Sequence, residues 1–591
     1  MRPMGYDSQA VPTPSKLQIP FSFLLICTAL LWACPYNAGT DSPGPVVDEP
    51  LGRAPSFGAP AAGPLPTREQ MAEVLRIRLE TLGVDAEAPL RGEAVIRPKE
   101  LIDFYEERDQ QTQWMVAAGP MPWAFDLPPL LQLAARNGMD PAHFHATTID
   151  GLLTELGSKK AWDDAEERAS LLVDTDILMS DAVLALGRSL AVGHVATQES
   201  DCGHRCEPAD VKALLAKALD TDKVGKTLDE LSVPHPEYAA LRRALELYQR
   251  ITTDGGWEQL PEGPTNIDEN SPKRLTLLKN RLMITGDMAA GAPVPPALKS
   301  FQERHGLDPT GKLDKATVEA LNTPVEKRAE QLRINLERWR WMPHDLGAKH
   351  VRVNIAGYWL QAFEDGDEDL AFRVIVGQSF LQTPVFSDEI TYMVLNPTWT
   401  VTRNIASKEM LPILKKDPSY LARKNMSLTR GWNGPSTDPK SVDWSSYSED
   451  HFPFVIRQRP GAGNALGRVK FMFPNPYKVY LHDTSAPKLF EKTTRSFSHG
   501  CIRAEKPLEM AEWLLSDQSE WDRGAIESKI ATGKERTLRL SKAVPIHVLY
   551  FTSWIDEKER VHFRKDIYGR DDAIAVGLGR DPSKTRLGED K

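Results

Sequence analysis

Cysteine is scarce in this sequence, with five in 591 residues. So low a count excludes a disulfide-dense scaffold, whose fold would hang on several bridges. Basic charge is also short: 72 Lys and Arg stand against 82 Asp and Glu, a formal net charge of -10. That balance excludes the basic face with which a protein grips nucleic acid, and it names no other partner. Long apolar stretches are missing after the N-terminus, which excludes a chain that crosses a bilayer repeatedly. The H-E-x-x-H pattern of many metal-dependent hydrolases is absent as well. What remains is ordinary globular composition, 41% hydrophobic and 26% charged, at a length that predicts roughly three or four domains.

One apolar run does exist. Arg2 and Lys16 precede Ile19 to Ala33, fifteen residues written IPFSFLLICTALLWA. That is short for a spanning helix of about 20 residues and suits a signal-peptide core. Residues 1–34 therefore read as a signal peptide or a membrane anchor. The run ends Leu31-Trp32-Ala33-Cys34, which resembles a lipoprotein cleavage box and makes Cys34 a candidate for lipidation. In a plain anchor, Cys27 and Cys34 are merely small apolar residues. Either way the bulk of the chain is expected in the periplasm, tethered by the N-terminal segment or by a lipidated Cys34, or secreted after cleavage.

Export makes the remaining cysteines informative. Cys202 and Cys206 sit in DCGHRCEP, where they can pair with each other in an oxidising compartment. A zinc site made by His194, Cys202, His204 and Cys206 is the alternative, although its spacing fits no familiar ligand pattern. Cys501 is left odd. A lone thiol in an oxidising space is either buried and inert or reactive, and its neighbours must decide.

Residues 35–66 are rich in Pro, Gly and Ala and read as a flexible linker. Residues 67–265 are mainly helical in pattern, a scaffold domain. Tyr238, Leu241, Leu245 and Tyr248 fall on one helix face, and Trp114, Trp123 and Trp162 suit core packing. Residues 271–322 form a compact three-helix unit. Ser271-Pro272 opens its first helix, Leu275, Leu278 and Leu282 give that helix an apolar face, Gly306 stops the second, and Asp314 caps the third. From Lys349 the period switches to two. YWLQAFE and LAFRVIVG predict strands either side of the polar turn EDGDED, and ITYMVLN, VKFMF, YKVYLHD and PIHVLYF predict more. A mostly β domain over 349–555 follows, interrupted at about 400–450 by a helix-like piece and long polar loops, an inserted lid. Residues 556–591 are a C-terminal extension. The fold class is multidomain α+β.

Two segments carry chemistry: YLHDT, Tyr480 to Thr484, and SFSHGCIR, Ser496 to Arg503. His482 ends a predicted strand, and Cys501 lies in a glycine-containing turn. A thiol is a strong nucleophile only as thiolate. A nearby imidazole can take its proton, and N–H groups in the turn can hold a developing oxyanion. The bland reading makes Cys501 an apolar filler; Ser498, His499 and Arg503 beside it suit a cleft better than a core.

H-D-T followed by S-H-G-C-I-R resembles the signature of the L,D-transpeptidase catalytic domain. LNPTWTVTRNIASKEMLP, RQRPGAGNALGRVKFMFPNPY and FRKDIYGRDD are similar to the large members of that family, and LKSFQERHGLDPTGKLDKATVEALN resembles the small peptidoglycan-binding module. The likeness covers roughly residues 100 to 570. It implies Cys501 as nucleophile and His482 as general base, oriented by the backbone carbonyl of Asp483, whose side chain matters less. It implies an oxyanion hole from the N–H groups of Gly500 and Cys501, with His499 as a supporting or substrate contact and Ser498 bonding locally. Thr484 and Arg503 are candidates for substrate contact, Arg503 alternatively for bracing the turn. The implied reaction is a thioester formed from a stem tetrapeptide and taken by a neighbouring amine, a 3→3 cross-link, with no metal or cofactor. Water as acceptor would make a carboxypeptidase, and attachment of a lipoprotein amine is a third outcome. A non-catalytic wall-binding scaffold and a zinc hydrolase with His482, His499 and Cys501 as ligands are the rival classes. Peptidoglycan stem peptides, carbapenem-type inhibitors and other cell-wall synthesis enzymes are the implied partners.

Overall fold

Helix caps begin many of the elements in the computed structural model, which describes residues 62–158, 162–195, 210–221 and 223–580. The predicted apolar run at 19–33 and the residues Cys202, His204 and Cys206 lie outside the described residues. Among the described residues no helix is long and apolar enough to cross a membrane. Thr67 starts Arg68–Val84 with a capping box completed by Gln70. Asp164 caps Ala165–Val192, a helix of 28 residues that is buried on nearly every face. Such a helix can only be the axis of a bundle, and the surrounding scaffold helices pack against it.

That axis carries three buried carboxylates. Burying a carboxylate is costly unless it is hydrogen-bonded, and each of these is. Asp176 accepts from the N–H groups of Gln113, Trp114 and Met115 at 3.1 Å or less, and from the Tyr105 hydroxyl at 2.6 Å. Asp181 accepts from the N–H groups of Ile96 and Arg97 and pairs with His145. Asp174 pairs with Arg78 and Arg91. The scaffold's irregular loops are thus fastened to its central helix by acids.

The three-helix unit comprises Pro272–Ile284, Val294–Arg304 and Lys315–Asn322. Ser271 accepts from the N–H of Arg274, and Asp314 from that of Thr317. Leu278, Leu282, Leu298 and Phe301 fill its core, while Leu275 is only half-buried and the first helix instead buries Arg274 and Arg281.

A further helix, Val325–Arg340, joins this unit to the β domain. Its charged sequence conceals how buried it is. Arg340 and Glu337 pair at 2.5 Å with both side chains fully enclosed. Arg340 also donates to the Asn137 carbonyl, and Glu337 accepts from the Val195 N–H. Gln331 donates to the carbonyls of Thr552 and Arg564, and Asn335 to the Thr552 hydroxyl. One helix thus bonds to scaffold and β domain at once.

The β domain begins with β1 (Lys349–Asn354), β2 (Trp359–Glu364) and β3 (Asp367–Gly377). The predicted six-residue turn EDGDED shrinks to Asp365-Gly366, both with positive φ, because this pair alone suffices for a tight hairpin turn. Next come β4 (Phe386–Leu395), then β5 (Trp399–Thr400), β6 (Met426–Arg430) and β7 (Phe454–Gln458) of the insertion. The main sheet resumes with β8 (Val469–Met472), β9 (Leu481–His482), β10 (Ser496–Ser498), β11 (Ile502–Ala504) and β12 (Arg536–Leu549). Its order is β10-β3-β11-β9-β8-β4-β12-β1-β2, and β2 pairs again with β3, so eight strands close into a ring with β10 outside it. Val353, Val374, Phe471, Leu481, Ile502 and Ile546 fill the interior, sealed by Met510 and Leu514 of helix Pro507–Leu514.

The insertion is more than polar loops. β6, β7 and β5 form a small antiparallel sheet, and a π-helical turn, Ile405–Met410, runs into helix Leu411–Lys416. Leu414, Leu421, Leu428, Trp444 and Ile456 give it a separate core. It therefore extends through Gln458, beyond the boundary near 450 that the polar composition suggested. The C-terminal stretch is likewise no appendage. A hairpin, Ser553–Ile555 with Val561–Phe563, spans position 555, and helix Asp571–Gly577 buries Ile574 and Ala575 in the scaffold core.

Candidate active site

Side chains alternate along a strand, so burying Leu481 and Ile502 in the barrel turns their neighbours outward. β9 and β11 run parallel with Leu481 opposite Ile502 and His482 opposite Arg503. The Ile502 N–H donates to the Tyr480 carbonyl at 3.1 Å, which brings Cys501 beside Tyr480. β8 adds Lys470 opposite His482. Tyr480, His482, Cys501 and Arg503 then line one cleft of about 390 Å³. Its far wall is the insertion, through Glu409, Met410, Tyr420 and Met426.

Burial pushes the Cys501 thiol up from its ordinary range, partly opposed by hydrogen bonds from the Tyr480 backbone and hydroxyl and by the charges of Lys470 and Arg503. Burial, joined by the Arg503 charge, takes His482 down to about 3. Both groups are therefore neutral near pH 7. His482 Nδ1 lies 2.5 Å from the Asp483 carbonyl. A carbonyl can only accept, so Nδ1 carries the proton and Nε2 is the basic nitrogen. Among the described residues no hydrogen bond joins this imidazole directly to the thiol. The sulfur's partner is Tyr480, whose phenol is in turn pushed up by burial and by the sulfur's charge.

The turn around the sulfur is closed by Ser498. Its hydroxyl accepts from the Gly500 N–H at 3.1 Å and donates to the Cys501 carbonyl at 2.5 Å. This alters the predicted oxyanion hole, because the Gly500 N–H is already taken. Gly500 itself sits at φ +109, where only glycine is comfortable. Thr383 fixes the turn from the other side by donating to the Gly500 carbonyl at 2.9 Å.

Asp483 differs from its predicted minor role. Its carboxylate accepts from the N–H groups of Arg468 (2.8 Å) and Thr484 (2.7 Å) and pairs with the Arg468 guanidinium. Gly467 leaves room for it: with φ +61 and the carboxylate pressed where a Cβ would stand, no larger residue fits. The side chain that sequence treated as incidental thus clamps the return from the insertion onto the histidine strand. Ser485 lines the cleft and Thr484 does not; the Thr484 hydroxyl accepts from the Ala486 N–H. Arg503 lines the cleft with a buried Nε that has no partner.

His499 lines the same cleft and bonds to Glu409 of the π-helical turn, at 2.6 Å, which links the nucleophile turn to the insertion. Among the described residues no group of three or more His, Cys, Asp or Glu is placed to hold a metal ion, His482, His499 and Cys501 included. His194, from the other conceivable zinc site, instead stacks on His143. Lys470 and Tyr480 escaped prediction. The alternation Tyr480, His482 within YKVYLHD was the available signal for the tyrosine; Lys470 had none, since its place depends on which strand pairs with β9.

Comparison with known proteins agrees with this geometry. Residues 348–538 match the family model of the L,D-transpeptidase catalytic domain, residues 99–245 that of a scaffold domain, and residues 277–321 one described as "Putative peptidoglycan binding domain". A Haemophilus influenzae protein described as "Putative L,D-transpeptidase" is 35% identical over 245 residues, 42% of this chain. The aligned part spans about half (49%) of that relative's length. The chain therefore carries an L,D-transpeptidase catalytic domain together with a scaffold domain and a peptidoglycan-binding domain.

Proposed function

We propose that this chain is a peptidoglycan L,D-transpeptidase that forms 3→3 cross-links through a thioester on Cys501. The observation that carries the reading is the single cleft shared by Cys501 and a His482 whose Nδ1 is locked as donor. As Sγ attacks the carbonyl at the L-centre of the third stem residue, Nε2 of His482 takes the thiol proton. The tetrahedral oxyanion is held by the Cys501 N–H, and Lys470 and Arg503 steady the charge. Collapse expels D-alanine, whose amine receives the proton from the imidazolium, and leaves the thioester. The side-chain amine of a second stem then attacks it, forming the new amide and restoring the thiol. No metal or cofactor takes part, and the thioester carries forward the energy of the broken amide.

A neutral thiol beside a neutral imidazole supports general-base attack, with proton transfer coupled to bond formation. The apolar run at 19–33 supports a periplasmic enzyme held at the membrane by its N-terminal segment or a lipidated Cys34. Stem peptides are its substrates, carbapenems its acylating inhibitors, and cell-wall synthesis enzymes its working neighbours. Incubation with disaccharide-tetrapeptide tests the reading: mass spectrometry should find dimers with wild type and none with Cys501→Ala. Tripeptide and free D-alanine alone would refute cross-linking.

A further inference from the structure

A second groove, of about 680 Å³, lies between the peptidoglycan-binding unit and the barrel. Its walls are Gly306 and its neighbours, the loop Gln378–Phe380, the segment Thr493–Phe497 and the stretch Arg564–Ile567. Three cations face it. Arg495 donates from Nε to the Val374 carbonyl, from Nη1 to those of Lys492 and Thr493, and with one N–H of Nη2 to that of Tyr358. Arg564 donates to those of Arg304 and Phe563. Neither has a carboxylate within ion-pair distance among the described residues, and burial lowers Arg495 to about 10 and Arg564 to about 9. Lys565 is exposed. The one carboxylate lining the groove, Asp566, is occupied by the Tyr550 hydroxyl and the Asp571 N–H. At the rim Phe380 is 76% exposed, an unusual position for so large an apolar ring. Arg564 uses only Nη1 in these bonds, so its Nε and Nη2, with no hydrogen bond among the described residues, and the remaining Nη2 N–H of Arg495 are left to receive a carboxylate. An exposed aromatic ring beside them offers a flat face for a sugar.

We infer that this groove binds a carboxylate-bearing glycopeptide, a second segment of peptidoglycan held outside the catalytic cleft. The choice of ligand rests on the function proposed above. The groove adjoins the reacting turn through one loop: the Gln378 N–H donates to the Ser498 carbonyl, and Thr383 holds the Gly500 carbonyl. A polymer strand seated there lies against the loop that holds the nucleophile turn.

The test is titration of full-length protein, its Cys501 first blocked by a carbapenem, with disaccharide-tetrapeptide in free-acid and fully amidated forms. Phe380→Ala/Lys565→Glu changes only exposed side chains, and its thermal unfolding is measured alongside to show that it folds. The free acid should bind wild type and lose about tenfold in affinity in the double variant, as expected for one ion pair and one ring contact. Equal affinity in wild type and a folded variant, or equal binding of the amidated ligand, would overturn the groove. A wild type that takes no carbapenem adduct, yet binds the free acid through these residues, would instead overturn the proposed chemistry and leave the groove standing.

Discussion

Removing the Asp483 carboxylate should destabilise the protein and slow acylation together. The side chain is 11% exposed and accepts two backbone N–H groups, each such bond to a charged acceptor contributing about 1.5–3 kcal/mol. Its pair with Arg468, half-exposed, adds less than about 1 kcal/mol. The Arg468 N–H can regain water, so Asp483→Ala should cost roughly 3 kcal/mol and Asp483→Asn, which keeps one acceptor, about 1 kcal/mol. For the alanine variant this is a fall of roughly 5–10 °C in the transition that unfolds the barrel. The Asp483 carbonyl orients His482, so loosening it should also slow carbapenem acylation about tenfold. Gly467→Ala should match the alanine variant, since its methyl would collide with this carboxylate. The two changes combined should cost less than their sum, because truncating Asp483 relieves the collision. Unfolding monitored by fluorescence, with adduct formation followed by intact-mass spectrometry, measures all of this. Strict additivity, or an Asp483→Ala protein that melts and acylates like wild type, would refute the clamp.

Three more outcomes follow from the site. Burial raises the Cys501 thiol, so alkylation by iodoacetamide should climb with pH beyond the range of an ordinary thiol; a plateau already at pH 7 would contradict it. His482 titrates near 3 when folded against about 6.5 when unfolded, so its neutral form supports the fold above about pH 6.5 and that support is lost as pH falls towards 3. His482→Gln should flatten stability across that window, and an unchanged slope in acid-unfolding curves would count against a buried neutral ring. Glu409→Ala removes the link to His499 at a cost below about 1 kcal/mol, yet should speed proteolysis within residues 431–450; cleavage at the wild-type rate would show that this pair does not hold the insertion.

Legibility in sequence followed the range of the interactions. Caps act within one turn, and so Ser271 and Asp314 were readable, as were the apolar face of Tyr238, Leu241, Leu245 and Tyr248 and the alternation of the barrel strands. Cys501 and His482 stood out because their neighbours are unusual for a core. Residues whose role is set by distant partners were opaque. Asp174, Asp176 and Asp181 look like surface acids until segments some 60 to 100 positions away arrive to use them. Val325–Arg340 looks like a solvated helix because its arginines find carbonyls and Glu337 only in the tertiary fold. The insertion read as loop because its apolar residues are spread thinly among polar ones, and Lys470 gained meaning only from strand pairing.

The helix Val325–Arg340 has one more implication. Its side chains are hydrogen-bonded to the scaffold at one flank and to the barrel at the other, and the three-helix unit adjoins its N-terminus, with Arg564 of the barrel segment donating to the Arg304 carbonyl. A wall-binding unit on a slack tether would sweep out a volume and deliver its catalyst anywhere within reach. Bolted down in this way, it works as a fixed gauge: wherever it grasps the wall, the sulfur arrives at one constant offset.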